Sequence, residues 1–191
     1  EEAYRILSQT NDFPEFTGRI CPALCEKSCV LKLTFDAPTT IRENEAAIAE
    51  AAFREGYIRT RKIKRNGKMV AVIGAGPAGL AAANQLNGMG YEVTIIDKNE
   101  APGGLLRYGI PNFKLHKPII DRRIRIMEEE GVKFYMNCDI DVTSLPKGYD
   151  AYCICTGTPT ARDLNIPGRE LKGIHLALEM LSQQNRILAG A

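Results

Sequence analysis

The 191 residues suffice for one full domain, or for a small domain with part of another. Hydrophobic residues make up 45% and charged residues 25%, and the net charge is only +2, which excludes the one-sided basic footprint of a nucleic-acid binder. No apolar run approaches the ~18 residues needed to cross a bilayer, and no apolar signal-peptide core opens the chain, so composition points to a soluble, cytoplasmic protein without membrane partners.

In chain order, the first feature is a cysteine run, Cys21, Cys25 and Cys29, spaced i, i+4, i+8. On one continuous helix these thiols would share a face spread over about 12 Å, too far for a single compact site. Either the chain leaves the helix there, or the thiols serve different sites. A secreted disulfide framework would spread its cysteines through a core-poor chain. Here the core pattern is good, so reduced thiols or metal ligands are favoured. Thr40-Ile-Arg-Glu43 reads as a capping box that opens a helix running to about Gly56. On it Ile41, Glu45, Ile48 and Ala52 fall on one stripe, which sets the Glu45 carboxylate among apolar neighbours. The basic stretch from Arg59 to Gly67 reads as a solvated linker.

Beyond the linker the period changes. Met69–Ile73 is a short apolar run, as expected of a buried parallel strand, and a helix of small residues follows from Pro77 to Asn87. Tyr91–Ile96 is the next strand. A helix is expected from Lys117 to Glu130, with Pro118 in its first turn and Gly131 past its end. Strands are expected near 132–136 and 150–155, and a helical segment over 176–185. Cys153 and Cys155 read as small hydrophobes on a buried strand. Cys138, His116 and His175 receive no task.

Between the first strand and its helix stands Gly74-Ala-Gly-Pro-Ala-Gly79, the G-x-G-x-x-G spacing in the context that gives it meaning. Such glycines permit a tight turn, close approach of a pyrophosphate, and close packing of helix on strand. The helix N-terminus supplies unpaired N–H groups and a positive partial charge. Asp97, 18 residues beyond Gly79, ends the second strand, where a carboxylate can accept hydrogen bonds from a ribose diol. The motif defines a dinucleotide site but leaves the dinucleotide open.

Three longer segments carry a resemblance. Phe13-Pro-Glu-Phe-Thr-Gly-Arg-Ile-Cys-Pro-Ala-Leu-Cys-Glu-Lys-Ser-Cys29, the run from Asp97 through Pro-Gly-Gly104 to Lys114, and Cys155-Thr-Gly-Thr-Pro-Thr-Ala-Arg-Asp-Leu-Asn-Ile-Pro-Gly168 resemble the glutamate synthase small (β) subunit family. That family's relatives include dihydropyrimidine dehydrogenase and NADH-dependent ferredoxin:NADP oxidoreductases. The resemblance implies an α/β fold in which a small helical, cysteine-bearing region and linker (1–66) precede an incomplete Rossmann-like FAD-binding unit (67–191). It implies that Gly74, Gly76, Pro77, Ala78 and Gly79 hold the FAD pyrophosphate and that Asp97 binds the adenosine ribose. By the same likeness Gly104, Leu105 and Arg107 line the flavin side, Ile140 meets adenine, and Thr156 and Gly157 close over the cofactor. Cys21 and Cys25 with Glu45 would belong to one [4Fe–4S] cluster and Cys29 to another. The family's upstream cysteine run is absent and Thr17 stands where some relatives carry a cysteine, so neither cluster is expected to be complete in this chain.

The activity implied is electron transfer from NAD(P)H through FAD to iron–sulfur clusters and on to a large catalytic subunit or another electron-acceptor protein. No catalytic acid, base or nucleophile is expected, since the cofactors carry the chemistry. The chain starts at Glu1 rather than a methionine and shows no second nucleotide fingerprint, so it is expected to be a piece of a longer protein, inactive alone. Two readings from other classes stand beside this one: a non-catalytic binding or assembly module, and a simple NAD-dependent dehydrogenase, against which the Pro-Gly-Gly-Leu-Leu-Arg run argues.

Overall fold

The computed structural model describes residues 1–158 and 160–190; Pro159, inside the third motif above, and Ala191 lie outside them. The first part is helical. Helix α1 (Glu2–Leu7) leads into α2 (Pro14–Ile20). Cys21 precedes Pro22, and a proline ring disfavours helical backbone in the residue before it. Cys21 accordingly has φ −57° and ψ 133°, and α2 stops at Ile20. The short helices α3 (Leu24–Lys27) and α4 (Lys32–Phe35) follow, and then α5 (Ile41–Arg54).

The capping box expected at Thr40–Glu43 does not form. Thr40 makes no side-chain cap bond, and Glu26 Oε1 instead accepts the Arg42 N–H at 2.8 Å. An acid from α3 thus sits at the positive end of α5. The stripe expected on α5 is rotated as well. Of its four members only Ala52 is buried, and Ile41 is 41% exposed. The reason is the crossing with α2 at Gly18, where a Cβ would come within 2.7 Å of the Ala46 backbone nitrogen. So close an approach selects the small-residue face of α5, with Ala49 and Ala52 at its centre.

The second part begins with β1 (Met69–Ile73), α6 (Pro77–Gly88) and β2 (Glu92–Ile96). It continues with α7 (Leu105–Tyr108), α8 (Lys117–Glu129), β3 (Lys133–Tyr135), β4 (Ala151–Ile154) and α9 (Ala177–Leu188). The strands form a parallel sheet in the order β3-β2-β1-β4, with Val72 in register with Ile95 on one side and Cys153 on the other. The expected elements of this part are thus realised within a residue or two at each boundary, except that the last helix runs on to Leu188. β1 is apolar throughout and β2 is buried from Val93 to Ile96, because both faces are covered at the centre of the sheet. Val72, Leu80, Ile95, Leu115, Ile120 and Met127 share the larger core, and Ala71, Ile73 and Ile96 face the loop after β3. β1 is the strand from which the order departs to either side, and the crevice beyond its carboxyl end is where such sheets bind ligands.

Residues 59–67 are not a solvated linker throughout. Arg61 binds Glu130 and Asn84, and Arg65 donates to Asn87 Oδ1 and to the Tyr91 and Glu130 carbonyls, each at 2.6 Å. Asn87 and Glu130 are buried at the C-terminal ends of α6 and α8, where unpaired carbonyls favour a cation. The two arginines strap the stretch across both helix ends.

Three consecutive residues of α8 hold three different elements. Asp121 accepts from Arg107, Arg122 donates twice to Glu50 of α5, and Arg123 Nε donates to Glu15 of α2 at 2.6 Å. Successive residues leave a helix ~100° apart, so the three bonds grip α8 from three sides. The Glu15 carboxylate is fully buried and Arg123 nearly so, while the Arg122 guanidinium also lies 3.4 Å above the Phe53 ring.

Candidate dinucleotide-binding site

β1 delivers the chain into the Gly74–Gly79 turn, where each glycine meets a different demand. Gly74 has φ 110°, and a Cβ there would lie 2.3 Å from the Cys155 carbonyl oxygen. A Cβ on Gly79 would lie 1.8 Å from the Gly74 carbonyl oxygen, so α6 can start this close to β1 only without a side chain. At Gly76 the φ of −73° suits any residue and a Cβ would meet nothing within 4 Å. That open face, beside the unpaired first N–H groups of α6, is the space a pyrophosphate needs. Pro77 and Ala78 lie exposed on the same turn.

Asp97 braces this turn from the end of β2. Its Oδ2 accepts the Ala75 N–H at 2.6 Å, and its Oδ1 accepts the backbone and side-chain N–H groups of Asn99, both at 2.8 Å. A carboxylate offers about four lone-pair sites, so one is left for a hydroxyl. The loop after β2 lies directly on the turn. Gly103 (φ 124°) donates to the Ala75 carbonyl at 2.9 Å, and a Cβ on Gly104 (φ 50°) would come within 2.6 Å of Gly76 Cα.

Leu105, 54% exposed, is left beside this contact as an apolar side chain facing outward. Arg107 turns away from it, donating to the Pro102 carbonyl at 2.6 Å and pairing with Asp121. Its guanidinium therefore fixes the loop from behind. Thr156 and Gly157 follow β4 beside Gly74, both exposed. Ile140 is half-buried under Ile96, on a segment tied to Asp97 by the Cys138 N–H. The turn, Asp97, Gly104, Leu105, Thr156 and Gly157 thus gather at one end of β1; Ile140 and Arg107 form the surround.

Two residues of the site were not singled out from sequence. Tyr108 accepts the Ala101 N–H and donates to its carbonyl, and burial raises its pKa. Lys117 Nζ donates to the Leu106, Ile110 and Leu115 carbonyls, closing the loop on itself, and burial with Arg107 nearby lowers its pKa to about 8. Neither has a local sequence signature, since both act on carbonyls that any residue would offer.

In the cysteine region the chain does leave the helix. Cys21 ends α2 and Cys25 sits on α3, both exposed, while Cys29 lies between α3 and α4. The dipeptide Cys21-Pro22 was the available signal. N–H groups of Thr39 and Leu31 turn toward the Cys29 sulfur and lower its pKa. Glu45 accepts from the Thr17 hydroxyl at 3.3 Å, so Glu45 and Thr17 are brought together. Among the described residues no three His, Cys, Asp or Glu side chains stand close enough to hold a metal ion.

Fold and site together define a dinucleotide-binding α/β protein. Residues 68–189 match the pyridine nucleotide-disulphide oxidoreductase family, and residues 1–57 match dihydropyrimidine dehydrogenase domain II with its 4Fe-4S cluster. The chain belongs to the pyridine nucleotide-disulphide oxidoreductase family. It is 47% identical over 187 residues to the glutamate synthase [NADPH] small chain of Bacillus subtilis, covering 95% of this chain and 38% of that protein. It is 46% identical to the glutamate synthase [NADH] of Schizosaccharomyces pombe, over 98% of this chain and 9% of that one. Among solved structures, Mycobacterium tuberculosis FprA in complex with NADPH aligns with a TM-score of 0.55 and 25% identity, over 62% of this chain and 29% of that one. The chain thus spans well under half the length of these relatives.

Proposed function

We propose that the Gly74–Gly79 turn binds the pyrophosphate of FAD, and that the chain belongs to an enzyme carrying electrons from NAD(P)H through FAD to iron–sulfur clusters, of the glutamate synthase small-chain kind. The observation that carries the reading is the pairing of two glycine loops around one open face: Gly104 rests on Gly76, yet nothing fills the space a Gly76 Cβ would take. The kinship to glutamate synthase small chains supports the particular reaction.

In this reading residues 1–66 form the iron–sulfur-type region and 67–191 part of the FAD-binding unit. The partner is a large glutamate-forming subunit or another electron-acceptor protein, and the setting is cytoplasmic. The first N–H groups of α6 receive the phosphates, the remaining lone pair of Asp97 takes a ribose hydroxyl, and Leu105, Thr156 and Gly157 keep water from the ring side. Arg107, Tyr108 and Lys117 hold the Gly103–Gly104 loop in place. FAD, when bound, supplies acceptance of a hydride and release of single electrons. Cys21, Cys25, Cys29 and Glu45 are proposed as partial donors to clusters whose other ligands come from outside these residues; the four do not enclose an ion by themselves.

The test is the visible absorption spectrum of the chain, purified without oxygen and titrated with FAD. Flavin bands that stay with the protein are expected, weakened by Asp97→Ala. A colourless chain that ignores FAD overturns the reading, and nicotinamide affinity without flavin would favour a simple dehydrogenase.

A further inference from the structure

β4 presents Tyr152 to one sheet face and Cys153 to the other, and Cys155, just past the strand, joins Cys153 there, both thiols packed half-buried against the larger core. Their sulfurs lie 3.6 Å apart. The spacing is set by backbone that cannot easily shift: Cys153 is in register with Val72, and the Cys155 N–H donates to the Ile73 carbonyl at 2.7 Å.

Direct oxidation to a disulfide suits this pair poorly. Residues i and i+2 of an extended strand have Cα atoms ~6.6 Å apart, at the upper limit of the ~4.4–6.8 Å that disulfides span, and the sulfurs would have to close to ~2.05 Å. A bridging atom meets no such obstacle. Two sulfurs bound at ~2.3 Å to one tetrahedral centre stand ~3.8 Å apart, and a pyramidal centre holds them slightly closer. Soft thiol pairs select soft, thiophilic centres. Burial, with the Cys153 thiol alongside, also raises the Cys155 pKa to about 11, so Cys155 holds a proton that such a centre can displace.

We propose that Cys153 and Cys155 form a two-thiol binding site for thiophilic trivalent centres, of which organoarsenicals are the ligand class. In the binding step an arsonous acid, RAs(OH)2, loses two As–O bonds and gains two As–S bonds. The two thiol protons leave with the hydroxides as two waters, and nothing is oxidised or reduced. The site is distinct from the Cys21, Cys25 and Cys29 run and lies one residue from the glycine turn, since the Cys155 carbonyl sits beneath Gly74.

The probe is phenylarsine oxide, which hydrates to such an acid, added at one equivalent to the reduced chain. Intact mass is then measured before and after a challenge with excess glutathione, followed by tryptic mapping. The expected result is one adduct that survives glutathione, is removed by 2,3-dimercaptopropanol, and maps to the peptide of residues 148–162. Cys153→Ser and Cys155→Ser should each lower retention after the challenge at least tenfold. An adduct on any other peptide, or retention unchanged in both variants, overturns the proposal. Because the mapping is done on the unsubstituted chain, a variant that fails to fold leaves the decision intact.

Discussion

Replacing Gly76 by alanine separates ligand binding from folding at one atom. The backbone there is already in a conformation open to any residue, and the added methyl meets nothing within 4 Å. Removing a glycine from the unfolded chain stabilises by ~0.4–1 kcal/mol. Gly76 is also the N-cap of α6, where alanine is poorer than glycine by a comparable amount. The two effects oppose, so stability in urea should stay within ~1 kcal/mol of the parent. The methyl does occupy the face where the pyrophosphate is proposed to lie. Losing one hydrogen bond to a charged group costs ~1.5–3 kcal/mol, which is a ~10- to 150-fold weaker FAD affinity by titration. Gly79→Ala is the contrast. Its Cβ would sit 1.8 Å from the Gly74 carbonyl oxygen, so backbone must move and unfolding should come easier by ~1–3 kcal/mol or more. If Gly76→Ala binds FAD as the parent does, or unfolds as readily as Gly79→Ala, the open face is not where the phosphates approach.

Other consequences are as direct. Arg123→Met strands the fully buried Glu15 carboxylate, whose Oε2 already has no partner, and should cost ~3–5 kcal/mol in urea unfolding, much of it recovered by adding Glu15→Leu. A loss below ~1 kcal/mol would show that the pair is not holding α2. The Glu50 carboxyl is held below its ordinary value of 4.5 by its hydrogen bond to Arg122 and by the charges of Arg122 and Arg19. The unfolded chain therefore takes up this proton first on acidification, so the contribution is full above pH 4.5 and is lost as pH falls below it. Arg122→Met should flatten that acid limb of the stability-against-pH curve, and an unchanged slope would contradict the assignment. Arg65→Met removes the cation that Asn87 and the Tyr91 and Glu130 carbonyls share, and a loss of ~2–4 kcal/mol is expected, against less than ~0.5 kcal/mol for the exposed neighbour Lys62→Met. Equal effects in urea unfolding would return residues 59–67 to the status of a solvated linker.

What the sequence makes legible here is what short range decides. The apolar run of β1, the three glycines, the helix of small residues and the acid at the end of β2 constrain one another within about thirty positions, and each appears where expected. The misreadings share another cause. Arg61 and Arg65 look solvated because their partners lie 22 to 69 positions away. The cap of α5 is taken from Thr40 by Glu26, and the buried face of that helix is chosen by Gly18. The partner of Arg107 is equally out of local view, since Asp121 lies 14 positions on. Charge and capping patterns name what a residue can do, and the tertiary partner decides which option is used.

The grip of Asp121, Arg122 and Arg123 makes α8 behave like a keyed shaft. A single residue inserted just ahead of Asp121 would leave the helix unbroken but turn everything beyond it by ~100°. All three grips would then miss at once, releasing the glycine loop, α5 and α2 together. Substitutions along this helix are separable, whereas its length is not. The count of residues from Lys117 to Arg123 is set by the angular phase that the dinucleotide turn and the cysteine region must share.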